Sequence, residues 1–185
     1  MFIQTESTPN PATLKFLPGQ SVLGQGTADF TDADAAGKSP LAQAIFATEG
    51  VIGVFLGADF VTVTKAEATD WAHIKPAILG AIMEHYQSGR PVMVGAAEEG
   101  HAVQEGPDSE IVEQIKELLD TRVRPAVAQD GGDITFHGFD RGVVYLHMKG
   151  ACAGCPSSTL TLKMGIENLL RHYIPEVTEV RPVAV

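Results

Sequence analysis

Two cysteines, Cys152 and Cys155, are the only thiols in the 185-residue chain. A Cys-x-x-Cys spacing lets two sulfurs converge on each other or on one metal without straining the backbone. The surrounding sequence is Gly150-Ala151-Cys152-Ala153-Gly154-Cys155-Pro156-Ser157. The pair precedes a predicted helix start, where unpaired backbone N–H groups and the helix dipole favour negative charge on sulfur. Its Gly and Ala neighbours are expected to leave both sulfurs uncovered. Three chemistries use such a pair. Thiol–disulfide exchange is the first, but its fold places a βαβ unit ahead of a hairpin, and the strand order here does not match. Structural zinc is the second; it needs four closed ligands and would have to recruit His137 or His147. An iron–sulfur cluster is the third, held by thiolates and commonly by four of them. One chain supplies two thiolates, and a symmetric dimer supplies four.

The elements that must position the pair follow from periodicity and punctuation. Ser109 or Asp108 caps a helix with Ile111, Ile115, Leu118, Leu119 and Val123 on one face, predicted to stop near Pro125. Asp130-Gly131-Gly132-Asp133 is a turn, because consecutive glycines accept positive φ. Asp133–Phe139 and Gly142–Met148 form an antiparallel pair. Residues 149–156 are a loop, and Ser157–Tyr173 is a helix with Leu160, Met164, Ile166, Leu169, Leu170 and Tyr173 inward. Pro175 ends it, and Val177–Arg181 alternates as a final strand.

The first half shows a second pattern. Phe2–Thr5 and Thr13–Leu17 are predicted strands around the turn-rich Ser7-Thr8-Pro9-Asn10-Pro11. Ser39-Pro40 opens a helix with Leu41, Ala44 and Ile45 on one face. Val51–Leu56 and Phe60–Thr64 form a hairpin. Asp70 caps a helix in which Trp71, Ile74, Ile78 and Ile82 recur at helical spacing, and Pro76 either begins or bends it. Between the halves, residues 98–110 hold five acids and no Lys or Arg, the composition of a solvated linker. The reading is therefore α+β, with two small domains: residues 1–97, an acidic linker over 98–107, and residues 108–185. The carboxy-terminal domain is a three-stranded sheet with two helices.

Composition removes several functions. A net charge of −10 at pH 7 repels phosphate backbones, so nucleic acid is not an expected partner. The best apolar run, Val51–Leu56, falls short of the roughly 18 residues a membrane helix needs. Two thiols do not make a secreted disulfide framework. Ser7, Asp29 and His73 show no triad spacing, and no Gly-rich phosphate loop occurs, so no catalytic residue is assigned. Lys149 and Lys163 are expected to be ordinary solvated lysines, and Met148 and Met164 to pack in the core. His147 is expected at an edge or partly buried. His73, His85, His101 and His172 share no metal-ligand spacing.

Two segments carry a resemblance. Val127-Ala128-Gln129-Asp130-Gly131-Gly132-Asp133 and the run from Gly150 to Ser158, with the following helix, resemble the NifU carboxy-terminal domain over about residues 108–182. Residues 2–16, from Phe2-Ile3-Gln4 to Leu14-Lys15-Phe16, resemble the amino-terminal domain of Nfu-type proteins. The order is that of the Nfu scaffold. What the resemblance implies is a carrier that binds a [4Fe–4S] cluster through Cys152 and Cys155, not an enzyme. Such a carrier takes clusters from upstream assembly proteins and hands them to apo iron–sulfur clients. A cluster-loaded homodimer and an amino-terminal domain that recognises clients or donors follow as expectations. Exposed thiols fit a reducing compartment, and without an Arg-rich presequence the bacterial cytoplasm is expected. The mitochondrial matrix applies to a processed eukaryotic chain.

Overall fold

The computed structural model describes residues 1–95, 101–153 and 156–183, and of residues 156–158 the backbone only. The chain divides into two compact units, Met1–Glu99 and Gly100–Val185. Both mix helix and sheet, as the α+β reading expects.

In the first unit, five strands form one sheet in the order β1-β2-β5-β4-β3. They are β1 (Gln4–Ser7), β2 (Thr13–Leu17), β3 (Ala28–Phe30), β4 (Val51–Leu56) and β5 (Val61–Lys65). Every neighbouring pair is antiparallel. The sequence gives no sign of β3, because three residues are too few to show alternation; it is specified by pairing, with Phe30 opposite Val54. Two helices, α1 (Pro40–Phe46) and α2 (Trp71–Ser88), cover the sheet. The Ser39 hydroxyl accepts from the Ala42 N–H at 3.0 Å, and the Asp70 carboxylate caps α2 at Ala72 at 3.0 Å. Helix α2 therefore starts ahead of Pro76 and runs through it. Leu41, Ile45, Ile74, Ile78 and Ile82 meet Phe16, Val54, Leu56, Val61 and Val63 in one core.

The second unit begins with a continuous helical stretch. Helix α3 (Ser109–Leu118) passes through a π-helical segment (Leu119–Val123) into α4 (Arg124–Gln129). The predicted stop near Pro125 is thus overrun. Pro125 falls in the first turn of α4, immediately after the wider π turn, where its missing N–H and its ring are tolerated. Strands β6 (Gly132–Asp140), β7 (Val143–Gly150) and β8 (Glu179–Pro182) form a sheet in that order. β6 and β7 are antiparallel; β7 and β8 are parallel, joined through α5 (Pro156–Tyr173), the crossover that parallel pairing requires. The core combines Val112, Ile115, Leu119 and Val123 with Ile134, Phe136, Val144, Leu146, Ile166 and Leu170.

Two expectations need correction here. Ile166 and Leu170 face the core with Leu162 and Leu169 beside them, but Leu160, Met164 and Tyr173 are 57%, 58% and 47% exposed. At 100° per residue the inward arc is already filled by 162, 166, 169 and 170, which turns 160 and 164 to the other side. The second correction concerns the acidic linker. Residues 98–100 lie outside the described residues, but 101–104 are not solvated spacer. Ala102 N–H donates to the Phe136 carbonyl at 2.9 Å, and Phe136 N–H donates to His101 Nδ1 at 2.9 Å. The Gln104 carboxamide accepts from Phe139 N–H and donates to its carbonyl, both at 2.7 Å. The Gln104 carboxamide offers both a donor and an acceptor as a peptide does, so this segment satisfies the outer edge of β6 in place of a strand. Among the described residues no helix is long and apolar enough to cross a membrane.

Candidate functional site

The site is built where β7 ends. Gly150 adopts φ 62° and turns the chain out of the strand; Cys152 N–H then reaches the Lys149 carbonyl at 3.4 Å and Ala153 N–H the Gly150 carbonyl at 3.1 Å. Across the hairpin, Gly132 pairs with Gly150 and Asp133 with Lys149. Ala151 N–H donates to the Gly131 carbonyl at 3.2 Å, which ties the cysteine turn to the Asp130–Asp133 turn. Thr159 Oγ1, in the first turn of α5, donates to the Cys152 carbonyl at 3.1 Å and closes the loop from the far side. Cys155 and Gly154 lie outside the described residues.

Cys152 departs from the expectation of an uncovered sulfur: the residue is 6% exposed and belongs to the core of its unit. The cause is Gly132. A Cβ there would stand 2.5 Å from Cys152 Sγ, 2.9 Å from the Lys149 carbonyl oxygen and 3.0 Å from Cys152 N. The small residues therefore do not open the sulfur to solvent; they let β6 close over it. Burial pushes the Cys152 thiol up to about 12, and the carboxylates of Asp130 and Asp133 add to the same direction. The Asp-Gly-Gly-Asp run is thus both turn and site: Gly131, at φ 81°, reverses the chain, and Gly132 accommodates the sulfur.

A charge network backs the same turn. Asp133, 6% exposed at its side chain, receives both Nε and Nη2 of Arg124 at 2.9 Å, and accepts from Ile134 N–H at 2.9 Å. Arg124 Nη1 also reaches Asp120 Oδ1 at 3.1 Å, and His101 Nε2 meets that oxygen at 2.7 Å. Because His101 Nδ1 accepts from Phe136, hydrogen-bond geometry assigns the ring proton to Nε2, which donates to Asp120. Burial works against ionisation of Asp120, but the hydrogen bonds and charges of His101 and Arg124 outweigh it and hold its pKa down. Arg124 was not singled out by the sequence. Its signal was the i, i+4 spacing to Asp120 together with nine residues to Asp133 across a Gly-Gly turn.

Other expected residues separate as follows. Lys149 is 3% exposed, so the expectation of a solvated lysine is corrected. Lys163 is drawn to Glu179 at 3.9 Å. Met148 packs in the core, whereas Met164 does not. His147 is half-buried on β7 and His137 is exposed on β6. Among the described residues, no three His, Cys, Asp or Glu side chains converge in a metal-holding group.

A family model described as the amino-terminal domain of Nfu/NifU scaffold proteins matches residues 3–89, and the NifU-like domain matches residues 115–181. A Drosophila erecta protein described as "NFU1 iron-sulfur cluster scaffold homolog, mitochondrial" is 53% identical over 99% of this chain and 65% of its own length. An Arabidopsis thaliana protein described as "NifU-like protein 4, mitochondrial" is 54% identical over 96% of this chain and 64% of its own. The chain thus spans about 65% of the length of these relatives. A solution structure of a NifU-like protein from Saccharomyces cerevisiae aligns with TM-score 0.46 and 32% identity, covering 52% of this chain and 87% of that one. The two domains occur in the family's order, and the cysteine turn sits inside the second. The chain, with both domains in that order, belongs to the Nfu family.

Proposed function

We propose that the protein carries a [4Fe–4S] cluster as cargo, ligated by Cys152 and Cys155 of each of two chains, and delivers it to apo iron–sulfur proteins. The observation that carries this reading is the built turn at Cys152. One cysteine of a Cys-x-x-Cys pair is held by hydrogen bonds to two neighbouring turns and to the first turn of a helix. The chain has two thiols and a cluster of this kind takes four, so a second copy completes the ligand set. The thiol-exchange alternative is less well supported. Burial of Cys152 opposes the thiolate that either reading needs, and it is the scaffold descriptions of the relatives that favour the cluster.

Transfer proceeds by ligand exchange. A client thiol loses its proton and forms an iron–sulfur bond; the bond to a carrier cysteine breaks, and that cysteine takes up a proton. No electron is gained or lost. Because Cys152 is 6% exposed, ligation requires the turn at 150–153 to open from β6, and reclosure over the protonated thiol favours release. The role is that of a carrier without turnover chemistry. Its partners are upstream assembly proteins and apo clients, and its first unit is the recognition element. A reducing compartment serves this chemistry, and the descriptions of the relatives favour the mitochondrial matrix among the two expected.

The test is delivery. Loaded protein is mixed anaerobically with an apo [4Fe–4S] enzyme in the presence of a chelator, and regained activity is followed. Activity should return with the intact chain and fail with Cys152→Ser or Cys155→Ser. A Cys155→Ser chain that loads and donates normally would overturn the reading.

A further inference from the structure

Helix α5 has more large apolar residues than its core face can use. Leu160 and Met164 are 57% and 58% exposed on the side turned away from the core. They stand one turn apart on one line of the helix, roughly 6 and 12 Å along it from Pro156, immediately beyond the cysteine turn. The remaining exposed positions between Thr159 and Asn168 are Thr161, Gly165 and Asn168, all uncharged. The charged residues of this stretch bond back to their own chain instead. Lys163 reaches Glu179, and Glu167 Oε2 accepts from Val180 N–H at 3.2 Å. The result is an uncharged, partly apolar stripe on a chain of net charge −10, leading away from the candidate ligands.

We infer that this stripe is the contact between two copies of the chain in the loaded state, with Leu160 and Met164 of each packing on those of the other about a two-fold axis. The inference rests on the reading that one cluster is shared by two chains. Charge argues for a second copy here: two chains of −10 repel over most of their surfaces, and least where both present uncharged residues. Area argues for the loaded state. A lasting interface buries about 800 Å² on each partner, which two side chains and their small neighbours do not reach. The stripe alone therefore leaves the chain monomeric, and the four shared thiolates complete the association. With the axis running along the helices, an isologous contact sets the same helix from both chains beside it in parallel, so both cysteine turns lie at the same end. Loss of the cluster then dissolves the pair, which is what a carrier needs at the moment of delivery.

The test uses the full chain, loaded anaerobically, and follows sedimentation of the cluster's visible absorbance over a protein dilution series. Leu160→Ser/Met164→Ser and, separately, Met164→Glu alter exposed side chains and are expected to leave the far-UV spectrum unchanged. Both should raise the concentration at which the loaded dimer half-dissociates by at least tenfold, while iron per chain at high protein concentration stays as in the unaltered chain. An unchanged dissociation curve for both variants overturns the inference. So does an unchanged curve with slower delivery, which assigns the stripe to the client. If the unaltered loaded chain sediments as a monomer, the shared-cluster reading itself fails, and the two failures are told apart by that control.

Discussion

Gly132→Ala puts the geometry of the site under direct strain. Gly132 does not have a positive φ, so alanine meets no backbone penalty there, and the whole effect is steric. The added Cβ would lie 2.5 Å from Cys152 Sγ, 2.9 Å from the Lys149 oxygen and 3.0 Å from Cys152 N. Ordinary carbon contacts begin near 3.5 Å, so the turn must retreat by about 1 Å, and two of the three obstacles are backbone. Overpacking of this kind costs about 1–3 kcal/mol. The loss should fall on the second unit. The only tryptophan, Trp71, lies in the first, so its fluorescence reports that unit while far-UV circular dichroism reports both. The expected result is a second-unit transition shifted by about 1–3 kcal/mol and an unchanged tryptophan midpoint. Cys152→Ala in the same background removes the sulfur clash and should restore part of the lost stability. A Gly132→Ala chain within about 0.5 kcal/mol of the original would refute the account of why Cys152 is buried.

Three further outcomes follow. Arg124→Gln removes both guanidinium bonds to the buried Asp133 carboxylate; it should cost about 3 kcal/mol, the low end for a broken buried pair. Adding Asp133→Asn should recover more than half, and strictly additive losses in that double-mutant cycle would contradict the pairing. His85 is 5% exposed, and burial, then the charge of Arg90, lower its pKa from 6.5. The unfolded chain therefore takes the proton first, so first-unit stability, complete above pH 6.5, should fall as pH drops below it; His85→Gln should flatten that slope in urea titrations followed by Trp71. Cys152 should alkylate far more slowly than a free thiol at pH 8 in native protein and at an ordinary rate in urea, as peptide mapping by mass spectrometry would reveal. Equal rates in both conditions would contradict its burial.

Much of the fold is legible because its signals are local. Ser39-Pro40 and Asp70 announce their helices, and hydroxyl and carboxylate make the expected caps. The β6–β7 hairpin is readable from alternation; in the structure β6 runs on through Asp140, and the turn falls at Arg141-Gly142, where both residues take positive φ. What is not legible depends on partners distant in sequence. β3 exists because β4 offers an edge, and residues 101–104 are ordered because β6 does. Pro125 reads as a stop unless a π turn precedes it, and no residue pattern signals that turn. At the site, residue types identified the cysteine pair but reversed the environment of Cys152. Glycine and alanine beside a thiol suit exposure or close approach equally, and only the register of Gly132 against Gly150 decides between them. The outward turn of Leu160 and Met164 is likewise a matter of competition for the inward arc, won by Leu162, Ile166, Leu169 and Leu170.

The central claim is that two chains share one cluster through Cys152 and Cys155. It is tested most directly by anaerobic reconstitution with iron and sulfide, then sizing with iron, sulfide and protein assayed on a single peak. The account expects a dimer carrying about two irons and two sulfides per chain, the stoichiometry of one four-iron cluster between four thiolates. A colourless monomer that binds no iron, yet cycles a Cys152–Cys155 disulfide, would contradict it.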